Sequence, residues 1–216
     1  MSLEIAIHMR NKIKVLNKAI SAGILIGIGA FVKMQCDNQI IGSLLFSIGL
    51  FFICSMNMNL FTGKIAYIDK TNWKNYPLIW IGNLIGCSLF ALLIRLSNPN
   101  VVKIASSITL NKLNTEYVSI PITAFFCGII MYLAVDNYKT STLGFSKIFG
   151  IVIGVMVFLL CNFEHSIADM AYVSMAINSI YEVPKFLSFI AVVSIFNGIG
   201  SVTMKKLLKG GKNGAN

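Results

Sequence analysis

The sequence predicts an all-α integral membrane protein with six transmembrane helices in two inverted repeats, spans two and five being broken. Three observations carry this reading. The 216-residue chain is 56% hydrophobic and only 12% charged, with a mean hydropathy of +0.76. A water-soluble domain of this size carries about 25% charged residues. Six apolar segments, at about 16–33, 39–57, 76–96, 118–135, 145–162 and 184–204, reach or approach the roughly 20 residues a membrane helix needs. Polar residues interrupt the chain at matching places after the second and fifth segments.

The same composition excludes other classes. So apolar a chain is not disordered, and it has no collagen-like or low-complexity repeat. The five cysteines, Cys36, Cys54, Cys87, Cys127 and Cys161, are an odd set at no metal-ligand spacing, so neither a disulfide scaffold nor a metal site is expected. An integral-membrane enzyme with a metal or haem needs convergent ligands, and that set is missing; no cofactor is expected. A cleavable signal peptide is not expected either, since the first 15 residues are charged and mixed.

Topology follows from the basic residues. Thirteen of the 18 lysines and arginines fall on one side of the six spans: those before span one, between spans two and three, between four and five, and after six. Lys33, Arg95, Lys103, Lys112 and Lys185 fall on the other. The positive-inside rule then puts both termini in the cytoplasm of a multi-pass cell-membrane protein. Anionic lipid explains such basic flanks, so the net charge of +10 calls for no nucleic-acid partner. Trp73, Tyr76 and Trp80 suit an interfacial anchor at the start of span three. Residues 1–15 read as a cytoplasmic amphipathic helix on the membrane surface. Residues 16–207 read as the six-span domain, with repeats at about 16–96 and 118–204, and 208–216 as a flexible cytoplasmic tail.

The repeat rests on paired signals. Asn83-Leu84-Ile85-Gly86 in span three matches Asn197-Gly198-Ile199-Gly200 in span six. The breaks are Asn57 to Gly63 in one half and Asn162 to Ser166 in the other. The apolar stretches 60–68 and 165–180 are too short or too polar to span alone, and read as second halves of broken helices. Three spans per half is odd, so the halves insert with opposite orientation, with the binding site near the midplane at the broken helices. Glycines at Gly-x-x-x-Gly spacing, Gly82 with Gly86 and Gly150 with Gly154, read as packing residues.

His165 is the one histidine placed within the membrane, with Glu164 before it and Asp169 one turn later. An ionisable residue there is a functional candidate by default. Its imidazole could move a proton, or simply bond a loop carbonyl. Glu164 could orient His165 or tie the ends of the broken helix; Asp169 could close a helix contact. Thr62 offers a hydroxyl that donates and accepts. Leu60 and Phe61 could gate a pore or anchor the loop. Lys112 lies in the loop before span four, where an isolated lysine is most often solvated.

The set Leu60-Phe61-Thr62-Gly63, Gly82-Asn83-x-x-Gly86, Phe163-Glu164-His165-Ser166-Ile167-Ala168 and Asn197-x-x-Gly200 resembles the formate/nitrite transporter family, over about residues 5–207. The resemblance implies an aquaporin-like fold, a homopentamer with one pore per protomer, and conduction of small anions of weak acids: formate, nitrite or hydrosulfide. It implies a central Thr62 and His165 between two apolar constrictions, Leu50 with Phe158 on one side and Leu60 with Phe61 on the other. It makes Lys112 the lysine of the outer vestibule, concentrating anions there. Two departures are Gly128, where formate channels carry an Asn on span four, and Asp169, where the family usually has Asn. They point to the hydrosulfide branch, with conduction expected to be proton-linked through the central His165, and with a formate or nitrite channel, or a proton-coupled secondary transporter, as the alternative. A neutral-solute pore of the aquaporin type would need paired Asn-Pro-Ala motifs, and the chain has only Asn98-Pro99-Asn100.

Overall fold

A computed structural model of the chain describes residues 2–210. They form nine α-helices: α1 (Ser2–Met34), α2 (Gln39–Ser55), α3 (Phe61–Lys64), α4 (Tyr76–Ser97), α5 (Val101–Leu113), α6 (Ser119–Thr140), α7 (Gly144–Leu160), α8 (Ser166–Ala176) and α9 (Val183–Gly210). Three short 3-10 turns complete the described chain. Four stretches are long and apolar enough to cross a membrane: Ile5–Met34, Trp73–Ser97, Ser119–Thr140 and Val183–Lys209. The 17-residue α2 and α7 are equally apolar but rise only about 26 Å, short of a hydrocarbon layer of about 30 Å.

The helices pair in a duplicated pattern. α1 packs along α4 and α6 along α9; α1 touches α2 and α6 touches α7; α2 and α7 meet in the middle. Large apolar side chains cover the outside, while a set of polar ones is buried within the apolar interior. Leu92, Leu93, Leu96 and Ile195 are exposed, whereas Asn83, Asn197, Thr62, His165, Glu164 and Asp169 are buried.

Both breaks share one construction. α2 ends at Ser55 and α7 at Leu160, and two residues beyond each end an asparagine takes a left-handed backbone, Asn57 at φ 48° and Asn162 at φ 51°. Asparagine tolerates that region better than most residues with a Cβ. The next N–H then reaches back across the turn, Met58 N to Ile53 O at 2.9 Å and Phe163 N to Phe158 O at 2.8 Å, which is the Schellman closure of a helix end.

Beyond each turn, a buried asparagine on a neighbouring helix clamps the backbone. Asn83 Nδ2 donates to Ala19 O (2.8 Å) and Asn59 O (2.9 Å), and its Oδ1 accepts from Phe61 N (2.9 Å). Asn197 Nδ2 donates to Ala124 O (2.8 Å) and Glu164 O (2.8 Å), and its Oδ1 accepts from Ser166 N (2.9 Å). The bonds correspond one for one. They put Asn59 in register with Glu164, Leu60 with His165 and Phe61 with Ser166.

Three expectations change. Of the separate surface helix expected over residues 1–15, residues 2–15 are instead continuous with the rest of α1. The region before residue 118, expected as a loop, contains α5, and Lys112 sits in its last turn. Of the expected tail, 208–210 continue α9 and 211–216 lie outside the described residues.

Replacing either clamp by alanine leaves two carbonyls and one N–H without their partner. Each such loss costs about 1–3 kcal/mol. Asn83→Ala and Asn197→Ala should each lower stability by about 3 kcal/mol or more, read as a large drop in the unfolding temperature of detergent-purified protein. An Asn→Ala change at the exposed Asn100 should leave that temperature unchanged.

Candidate functional site

Two cavities approach each other at the two breaks. The larger, about 550 Å³, opens on the face that carries Lys33, and its floor includes His165, Phe158, Glu164, Asp169 and Tyr172. The smaller, about 40 Å³, lies toward the face that carries Lys64 and Lys139, and is walled by Leu50, Ile53, Leu60, Gly63 and Val135. The bond between Thr62 Oγ1 and His165 Nε2, 2.9 Å long, stands between them. His165 lines the larger cavity, and Leu60 and Gly63, on either side of Thr62 in sequence, line the smaller.

The local fold fixes the imidazole. His165 is the N-cap of α8, and its Nδ1 accepts the Ala168 N–H at 3.0 Å. A ring nitrogen that accepts carries no proton, so the proton of the neutral ring is on Nε2, assigned from this bonding. Nε2–H therefore donates to Thr62 Oγ1, which leaves the threonine hydroxyl hydrogen free to point at a solute. Protonating Nδ1 would break the cap bond. Phe158 stacks on the imidazole with centroids 5.0 Å apart and planes at 22°, and Phe46 meets Phe158 edge-on at 5.9 Å. The histidine thus has an aromatic face on one side and a donor chain on the other.

Next to it is an ion cluster. The Lys112 ammonium contacts Glu164 Oε2, and lies 3.0 Å from Asp169 Oδ1. The Lys112 side chain is 17% exposed, and those of Glu164 and Asp169 are 5% and 1% exposed. Glu164 thus contributes its carbonyl to the Asn197 clamp and its carboxylate to Lys112. Asp169, in the first turn of α8, also lies at the positive end of that helix.

The structure regroups several residues singled out from sequence. Lys112, expected as a free vestibule charge, has two carboxylate partners. The unpaired cation at the same cavity, among the described residues, is Lys33. Leu50 lines the smaller cavity with Leu60, whereas Phe158 lines the larger one and meets Phe46, one turn before Leu50 on α2. Phe61 borders a third, apolar cavity of about 560 Å³ against α9, with Ile195, Ile199 and Val202. Gly128 does not look into either cavity. A Cβ there would stand 2.1 Å from Asn197 O, so it is the close-packing residue of α6 on α9, as Gly23 is of α1 on α4, where the distance is 2.2 Å to Asn83 O. A side-chain amide at 128 is incompatible with this packing. Sequence reasoning missed Lys33, Phe46 and Tyr172 as site residues. Phe46 and Tyr172 lie in apolar runs with no local signal. Lys33 could have been found as the one lysine ending span one.

The profile of the "Formate/nitrite transporter" family matches residues 4–209. The chain belongs to that family. "Formate channel FocA" of Escherichia coli (strain K12) is 25% identical over 197 residues, covering 78% of this chain and 68% of that protein. "Uncharacterized transporter YwcJ" of Bacillus subtilis (strain 168) is 24% identical over 211 residues, covering 87% and 82%. Among solved structures, an "FNT family ion channel" superposes with a TM-score of 0.84 at 20% identity, over 95% of this chain and 92% of that one. A "Pentameric formate channel with formate bound" superposes with a TM-score of 0.70 at 25% identity, over 94% of each. The relatives with a stated role are channels rather than enzymes, and the family and the apolar helices make this a multi-pass membrane protein.

Removing one partner of a buried ion group costs about 3–5 kcal/mol, because the remaining charge is left uncompensated. Lys112→Ala should therefore lower thermal stability strongly. Adding Glu164→Gln and Asp169→Asn to it should restore most of the loss. A vestibule lysine acting only as an attractor of anions would change flux and leave the unfolding temperature where it was.

Proposed function

We propose that this chain is a channel for small monovalent anions of weak acids, with hydrosulfide as its foremost solute and formate and nitrite as further ones. The observation that carries the reading is the Thr62–His165 pair, buried between two cavities that approach it from opposite faces. A bare anion meeting apolar walls suffers a large desolvation cost. Leu50, Leu60 and Val135 on one side, and Phe158 on the other, are those walls. The neutral acid avoids most of the cost. At the centre, the hydroxyl of Thr62, polarised by a neutral His165 behind it, offers the anion a single directed donor. Anions are gathered at one mouth by Lys33 and at the other by Lys64 and Lys139, in settings where water screens a charge less than in bulk.

Hydrosulfide suits the narrow part best. It has one heavy atom and needs one donor. Gly128 gives no support to this choice, since its position faces α9. A second reading, with formate as the main solute, is favoured by the relatives named for formate.

The same proposal includes six spans in two inverted repeats, supported by the one-for-one match of the Asn83 and Asn197 clamps, and both termini in the cytoplasm, supported by the lysine asymmetry. It includes a homopentamer embedded in lipid. The apolar cavity beside Phe61, open on α9, is a surface that a second copy would cover.

Purified protein in liposomes should pass hydrosulfide faster than formate or nitrite, and all three faster than chloride, the anion of a strong acid. Leu60→Ala and Leu50→Ala should each raise formate flux relative to hydrosulfide by relaxing selection by size. Stopped-flow measurement with pH- and sulfide-sensitive dyes reads both. Chloride passing as fast as hydrosulfide would overturn the weak-acid reading.

A further inference from the structure

We infer that Glu164 and Asp169 share one exchangeable proton, making the Lys112 cluster a proton-binding site on the floor of the larger cavity. Two carboxylates and one ammonium, both acids almost wholly buried, leave a net charge of −1 if both acids are ionised. Carboxylates sharing one site resist double ionisation, and burial adds to that resistance. The bonding of Asp169 fits the protonated form. Its Oδ2 has no hydrogen-bond partner, and neither does the hydroxyl of Tyr172 one turn along α8; both residues line the cavity. An ionised oxygen left without a donor in a buried place is costly, whereas a carboxylic acid is neutral and can itself donate. The proton belongs to the pair rather than to one residue.

The surroundings of Asp169 contain no closer source among the described residues. Lys112 on α5 and Lys33 on α1 are cations facing the same cavity. Cys127 on α6 lies within electrostatic reach of Asp169, Cys87 on α4 bonds the α8 backbone at Ile167 O, and Arg95 caps the far end of α8 at Ile177 O. The described part of α9 meets the start of α8 through the neutral Asn197. His165 is committed, with Nδ1 accepting from Ala168 and Nε2–H donating to Thr62.

The transport step this site would support rests on the anion-channel reading. An anion reaching the cavity floor takes the shared proton: the carboxyl O–H bond breaks, an S–H or O–H bond forms on the solute, and the pair is left with both acids ionised beside Lys112. The neutral acid crosses the apolar wall and gives its proton to water at the other mouth. The pair regains a proton from water in the larger cavity. One proton moves with each anion, and no other reactant is needed.

Infrared spectroscopy of the lipid-reconstituted protein at neutral pH tests the site without any transported solute. The native protein should show a protonated-carboxyl C=O band that is lost in Asp169→Asn and kept in Asp169→Glu. Flux of formate and hydrosulfide should fall with rising pH in the native protein and in Asp169→Glu, whereas Asp169→Asn should pass both anions more slowly and with a flatter pH dependence. A native spectrum without the band, or a band and pH profile unchanged in Asp169→Asn, would overturn the inference. Should Asp169→Asn fail to assemble, Glu164→Gln serves in its place: it leaves one carboxyl beside Lys112, and the neutral-pH band should disappear. Its persistence there would place the proton elsewhere and overturn the sharing. A band that behaves as stated in a protein passing no anion would leave the proton site standing and sink the channel reading instead.

Discussion

Interrupting a helix within apolar surroundings frees carbonyls and N–H groups that cost several kcal/mol each when unpaired. Two such interruptions bring Thr62 and His165 together, and both are closed by the same two devices. The left-handed Asn57 and Asn162 fold each helix end back onto its own carbonyls. The amides of Asn83 and Asn197 then take up the groups beyond the turn. With the backbone satisfied, the side chains at the breaks are released for other work. Thr62 and His165 bond to each other, and Glu164 turns its carboxylate to Lys112.

Close packing around these clamps explains why so much of the interior is small or apolar. α1 can hand its Ala19 carbonyl to Asn83 only if it lies almost on the backbone of α4, and Gly23 allows that; Gly128 does the same where α6 meets α9. The glycines and the asparagines are therefore one device, in which the approach of the helices brings a carbonyl within reach of the amide. No side chain can be added at these crossings without separating the helices.

The apolar helices, the duplicated Asn-x-Ile-Gly and the placement of Thr62 and His165 at breaks are legible in the sequence, because membrane composition is a strong signal and each break carries polar residues in a greasy run. Other features are not. α5 escapes because Val101–Leu113 is too short to span and mixes Lys103, Lys112 and Asn111 into its apolar positions. Its stability comes from packing on α8, which sequence does not display. Lys112 consequently reads as a loop residue, and its two carboxylate partners, 52 and 57 residues away, are invisible. Gly128 misleads for a related reason. Position along a span says nothing of which way the position faces, and here it faces a neighbouring backbone. The aromatic stack of Phe46, Phe158 and His165 joins three separate segments and has no local signature at all.

The correspondence between the two breaks has a consequence at one position. Leu60 and His165 occupy equivalent slots, each capping the short helix after it and each flanked by groups that a clamping asparagine holds. One half fills the slot with a branched alkyl group and the other with an imidazole. A conduit built from two like halves would have no inherent polarity if both slots held the same residue. This one is chemically handed: the imidazole lines the cavity on the face with Lys33, and the alkyl group lines the cavity on the face with Lys64 and Lys139. The two slots therefore differ in chemistry although the clamps around them correspond bond for bond.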